Sequence, residues 1–270
     1  PSASPDSYTV DFDTPRRLAE ALRLTADAAG ALQVVAETLE RAVSLIDRTH
    51  LNSIQTNVLL IMGRIPEALA CGRAAARQFG VDLPEQPEQV RALLQREIQT
   101  IRDRATAVGI ESLLDLPPMS DPGQIALIGL LVHCMPAAFQ TDQESYALLC
   151  CTMVRLSLEH GNCALSARAY GSFAALMSSA LRDYGDAYRF AKLGVDLAHK
   201  LNETSTLAGV YFLFAMFASH WVKPVDESID LYQQAIRFGL QSGDHVHAGY
   251  SVARRFSHMQ VRGMALAELR

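Results

Sequence analysis

The chain has 270 residues and a formal charge of −5 at pH 7, and Ala and Leu together fill 73 positions. With 49% hydrophobic and 7% aromatic residues, it is too apolar for a disordered segment and too rich in helix formers for a sandwich or barrel. Five Cys without paired metal-ligand spacing argue against a disulfide scaffold or zinc finger, and the slight acidity supplies no electrostatic reason to bind nucleic acid or an anionic membrane.

The opening Pro1-Ser-Ala-Ser-Pro-Asp-Ser7 is polar and has neither the basic start nor the apolar core of a signal peptide. Residues 1–13 are expected as a flexible arm, and the missing initiator Met suggests a fragment or processed form. Thr14-Pro15 then reads as a helix start, with Thr14 as N-cap and Pro15 in the first turn. Gly30 closes that helix, and the apolar spacing predicts further helices over 31–46 and 52–62. Gly63 interrupts, Pro66 opens the next helix, and Pro84 and Pro87 mark a break. A helix over 88–106 is followed by a proline-rich linker, a possible sub-boundary at 107–121. Helices are then predicted over 122–139, 142–160, 163–180, 183–201, 203–221, 225–242 and 244–262. Their connectors are short enough to force antiparallel neighbours.

A recurring register runs through this pattern. In Gly63-Arg-Ile-Pro-Glu-Ala68, a glycine ends one helix, and the small Ala68, with Ala75 seven residues on, lets the next lie close to it. The same spacing of seven joins Ala187 to Gly194 and Ser228 to Ala235. It resembles the second half of a tetratricopeptide repeat, although residues 187 and 228 stand 41 apart, longer than that repeat's usual period of about 34. The expected fold class is therefore all-α: an α-solenoid of stacked antiparallel helix hairpins, with degenerate tetratricopeptide-like repeats in a single domain over 14–270.

Chemical motifs are scarce. Neither a P-loop nor a GxGxxG loop is present. Of the clusters His133-Cys134, His160 with Cys163, and His245-x-His247, the second has the spacing of helical metal ligands, but Gly161-Asn162 breaks the helix between them, and His245 and His247 point to different faces of a helix; these His are expected as capping or exposed groups. Cys150-Cys151 sits in an apolar run, where burial silences a thiol. Arg254-Arg255 and Arg262 read as a solvated face. No catalytic, metal or cofactor-binding residue is expected. Pro122–Thr141 and Thr204–Val222 lack charge and approach membrane-spanning length, but are expected as central helices walled in by neighbours. Aromatic residues concentrate in the second of these, making Tyr211, Phe214, Phe217, His220 and Trp221, with Tyr211's neighbour Phe212, the candidate ligand or partner surface. Trp221 is expected to pack in the core against a neighbouring repeat, or else to wall a ligand pocket.

Several stretches occur in a telling order: the Gly63-to-Ala68 turn with Gly80-Val-Asp-Leu-Pro84; Asp115-Leu-Pro-Pro-Met-Ser-Asp-Pro122; Leu156-Ser-Leu-Glu-His-Gly-Asn162; His220-Trp221; and Gly239-Leu-Gln-Ser-Gly-Asp244. Over about residues 50–265 the chain thereby resembles the helical-repeat region of large bacterial-type signalling proteins. That family joins a Ser/Thr-kinase-like domain, a STAND-type AAA ATPase, such a repeat region, and often a GAF domain and a histidine kinase. The resemblance implies a non-enzymatic, cytoplasmic module that binds a protein or peptide partner, or adjacent domains of its own chain, and relays a signal. It carries over no active-site residue. The rival expectation is a small-molecule sensor built around the aromatic helix, and an all-α enzyme with His160 or His220 as base ranks third.

Overall fold

The computed structural model describes residues 5–265, with side chains from residue 12 onward. The described residues are all-helical and contain no strand; the one β-bridge joins Pro118 to Asn162. The chain divides into two compact units. It passes between them within helix α5 (Pro87–Val108), between Met119 and Ser120, and within helix α7 (Gln143–His160).

The first unit contains α1 (Pro5–Leu24), α2 (Ala28–Arg41), α3 (Leu45–Ile61), α4 (Ile65–Arg77) and α6 (Pro122–Thr141). Helix α1 starts at Pro5 and not after Thr14, so only residues 1–4 of the expected arm lie outside the described residues. Pro15 is carried inside the helix. The gain that offsets it is burial: Phe12 and Ala19, two turns apart on one face, pack with Ala31, Val35, Leu51 and Val58. The next boundary also moves. Asp27 caps α2 by accepting from the Gly30 backbone N–H, so Gly30 sits in a first turn instead of ending a helix. Ser44 caps α3, which therefore begins seven residues before the expected 52.

Helix α3 packs on α2 and α1, and α6 packs on both α3 and α4. The α4–α6 approach is tight: a Cβ on Gly72 would overlap the Cys134 thiol. Cys134 is buried there, which pushes its pKa up to about 12.

The second unit contains α8 (Ala164–Ser179), α9 (Tyr184–Lys200), α10 (Thr204–Val222), α11 (Val225–Ser242) and α12 (His245–Val261), with a short 3-10 turn at Glu111–Asp115. Here too each hairpin's first helix lies on both helices of the hairpin before it: α10 on α8 and α9, then α12 on α10 and α11. Ala68, Ala75, Ala187, Gly194, Ser228 and Ala235, the small residues of the sequence register, are all buried. Within α10 the segment Phe214–Ser219 widens into a π-helix. Helices α6 and α10 are long and apolar enough to span a membrane by length and composition, with half of each such window buried in the fold.

Asn162 ties the corner between α7 and α8 to the segment before it. Its backbone N–H donates to Pro117 O and its carbonyl accepts from Met119 N–H, both at 2.8 Å. Its side-chain amide donates to Leu113 O at 2.8 Å, and its side-chain oxygen accepts from the Tyr170 hydroxyl at 2.9 Å. The residue is 3% exposed, so every one of these groups would otherwise be stranded without water. Gly161 makes the turn possible: it sits at φ +97°, and a Cβ there would overlap Pro117 O.

Asn162→Ala leaves Leu113 O and the Tyr170 hydroxyl unpaired, and is expected to destabilise the protein by roughly 2–5 kcal/mol in urea unfolding. A glycine pair separates packing from propensity. A Cβ on Gly194 would come 2.7 Å from Ala167 O, whereas one on Gly185 meets nothing within 4 Å. Gly194→Ala is expected to cost about 1–3 kcal/mol, and Gly185→Ala to be neutral or slightly stabilising; equal effects would contradict a backbone-to-backbone approach of α8 and α9.

Candidate functional site

Helix α10 is the most aromatic element, and the structure sends its aromatic side chains to different partners. Tyr211 exchanges a hydrogen bond with His199 Nε2 at 2.9 Å and stacks on Phe238, with ring centroids 5.7 Å apart. Phe214 is buried edge-on against Tyr188. The Tyr188 hydroxyl donates to Glu227 at 2.8 Å, and burial together with that carboxylate raises its pKa to about 12. Phe217 is half-buried with no ring partner among the described residues. His220 directs Nδ1 at the Ala215 carbonyl, 3.3 Å away, and sits beside both Trp221 and His258.

Trp221 is not in the core: it is 54% exposed and covers the Tyr184 ring at 4.6 Å. The helix ends at Val222, so the indole lies on its last turn. Four of the five sequence candidates thus make ring contacts that spread over α9, α11 and α12, and Phe217 makes none.

A cavity of about 340 Å³ lies elsewhere in the second unit, lined by residues that include Arg102, Ile110, Met177, Asp186, Arg189 and Phe190. Its floor is apolar and its rim is charged, but the rim is already neutralised. Arg102 pairs with Asp183 at 2.9 Å, and Arg189 donates to both Glu111 oxygens at 2.7 Å and to Asp186 at 2.9 Å. The hydrogen bonds from Arg189 hold the Glu111 carboxyl down at about 2.

A second constellation, which the sequence did not single out, spans α8, α10 and α12. Gly209 of α10 leaves room above its backbone for two side chains. Arg168 Nη1 lies 2.9 Å, and His247 Cε1 3.4 Å, from where a Cβ would sit. His247 Nδ1 donates to Asp244 at 2.7 Å, and Asp244 also accepts from the His247 backbone N–H. Burial works against ionisation of Asp244, yet the His247 hydrogen bonds and the Arg168 charge hold its pKa below the ordinary carboxylate value. Phe212 tilts against both His247 and Tyr250, at 5.8 and 5.9 Å.

Among the described residues no group of three or more His, Cys, Asp or Glu is placed to hold a metal ion. Cys151 is buried, which raises its pKa well above the ordinary thiol value. His160 is exposed beside Glu159, 3.9 Å away. His247, expected as a capping or exposed group, belongs to the Asp244 cap.

The Glu111–Arg189 pair has a pH signature. A carboxyl depressed on folding contributes stability above its unfolded value near 4.5, and loses it as pH falls towards 2. Glu111→Gln is therefore expected to lower stability at pH 6 by at most about 1 kcal/mol, because the pair is exposed, and to match the wild type near pH 2. Unfolding curves at the two pH values measure this. No family model matches the chain, and no curated protein matches it.

Proposed function

We propose that this chain is a non-catalytic helical-repeat scaffold, an α-solenoid of tetratricopeptide-like hairpins. In this role it binds a protein or peptide, or adjacent domains of its own chain, and relays signals within a larger cytoplasmic sensor kinase or ATPase regulator. The observation that carries the reading is the repeated packing rule. Within each unit, a hairpin's first helix rests on both helices of the preceding hairpin, and the small residues of the register lie buried where second helices must come close. Repetition of one unit builds extended surfaces suited to binding chains. The meeting of two resemblance motifs at Asn162 supports the same reading, since Asp115 to Pro122 and Leu156 to Asn162 are joined there by two backbone hydrogen bonds.

The rival reading, a small-molecule sensor around residues 211–221, draws on the π-helix at Phe214–Ser219, a distortion frequent at functional sites. The divergent partners of Tyr211, Phe214 and Trp221 weigh against it.

Photo-crosslinking amino acids placed at the exposed positions Tyr250, Phe256 and Trp221 test the choice in cells producing the parent protein. The scaffold reading expects polypeptide adducts, identified by mass spectrometry, from at least one of these positions. Absence of any polypeptide adduct, together with a metabolite that raises Tm in a ligand screen, would replace it with the sensing reading.

A further inference from the structure

Arg168 is a cation with no ion pair, and, like Arg255, it keeps a buried Nε without a hydrogen-bond partner. It is half-buried on α8, and its Nε is inaccessible to water with no hydrogen-bond partner. Among the described residues the guanidinium makes no ion pair or hydrogen bond. Asp244 is close enough to feel its charge, but both Asp244 oxygens are engaged by His247. A partly desolvated guanidinium with unused donors is expensive to keep unless something supplies an acceptor.

Its surroundings specify that acceptor. Gly209 lets the planar group lie against α10, with the His247 ring over the same point. Asp244 adds a fixed negative charge next to the site, which favours a singly charged anion over a doubly charged phosphate. A carboxylate matches the guanidinium fork in charge and shape. Beyond His247 the surface continues as Phe212 and then Tyr250, which is 57% exposed. These rings offer an apolar seat one side chain away from the cation.

We infer that Arg168, Gly209 and His247 form a docking subsite for an acidic segment of a protein partner. A Glu or Asp carboxylate would bind Arg168, and a neighbouring apolar side chain would rest on Phe212 and Tyr250. The inference rests on the scaffold reading and names the chemistry of its partner.

The shielded Arg168 Nε–H is a direct reporter in proton–nitrogen NMR spectra of the full chain. Three probes are titrated: the peptide Ac-Leu-Glu-Leu-Gly-NH2, its Leu-Gln-Leu counterpart, and sodium acetate. The glutamate peptide is expected to shift the Arg168 Nε–H and the His247 and Tyr250 signals, binding about tenfold or more tighter than either control. Arg168→Gln is expected to abolish that preference with only a small change in Tm, because the guanidinium makes no ion pair or hydrogen bond and acts on Asp244 only through space. Gly209→Ala is expected to do the same while keeping its helix: alanine favours helix, and its Cβ displaces only the flexible guanidinium end.

A glutamine peptide that binds as well as the glutamate peptide would overturn the carboxylate assignment and leave the scaffold reading standing. Acetate binding as tightly as the glutamate peptide would overturn both, making the site a receptor for a small acid. A Gly209→Ala protein that binds like the wild type would also overturn the inference, as would a large loss of Tm in Arg168→Gln.

Discussion

Helices here approach so closely that backbone, not side chain, becomes the contact surface. Above Gly194 the nearest atoms are the Ala167 carbonyl oxygen and the Gly171 nitrogen, and above Gly239 they are Asp244 O and Ala248 Cβ. Such distances exist only if the residue at the crossing is small, and larger residues can fill the volume on either side. In the second unit this places Tyr170, Phe173 and Phe190 together as an aromatic filling between α8 and α9. The same constraint explains why Ala is so abundant and aromatic residues so few. Dispersion between closely spaced helices substitutes for the bulk that large side chains contribute in looser cores.

Close-packed helices need corners that waste no hydrogen bond. The turn between α7 and α8 meets that need with Asn162, whose amide mimics a peptide group and joins Leu113 O to the Tyr170 hydroxyl. Ser166 adds a second small network at the same corner, receiving the Cys163 backbone N–H and sharing a hydrogen bond with Ser157. The proline-rich stretch before Met119 has few backbone donors of its own, so it is held in place by a neighbour that supplies them. Buried polar groups specify one geometry because alternatives leave them unpaired. In the second unit they fix where the Glu111–Asp115 turn meets α9, and the Glu111–Arg189 and Lys200–Asp115 pairs finish the attachment at the surface.

Against this economy, a few buried polar groups of the second unit stay unpaired, among them Arg255 Nε and Arg168 Nε. Of these, the Arg168 guanidinium is the one held against Gly209 beside His247. Sites that bind are often where a fold leaves interactions incomplete, because a group already satisfied gains nothing from a ligand. The contrast with Arg189 is instructive: it lines a cavity, yet its three hydrogen bonds to Glu111 and Asp186 leave it little to offer.

Much of the fold was legible in the sequence. Periodic apolar residues and short connectors marked the helices from Pro122 onward, and the spacing of seven between Ala187 and Gly194, or Ser228 and Ala235, marked faces that are indeed buried. The N-terminal boundaries were not legible. Gly30 and Pro15 carry local penalties that read as helix breaks, while the Asp27 cap and the burial of Phe12 override them. The candidate site was less legible still. The aromatic density of α10 was visible, but one helix displays its side chains in every direction, and only the neighbours decide that Trp221 is exposed and Phe214 buried. Arg168 lay as the one charge on an alanine-rich helix, and Gly209 was one small residue among many. Sequence by itself determined the helical class and the small-residue faces, because both follow from local spacing. Tertiary structure alone decided that Arg168 lies unpaired against Gly209 and His247, because pairing is a property of atoms brought together from α8, α10 and α12.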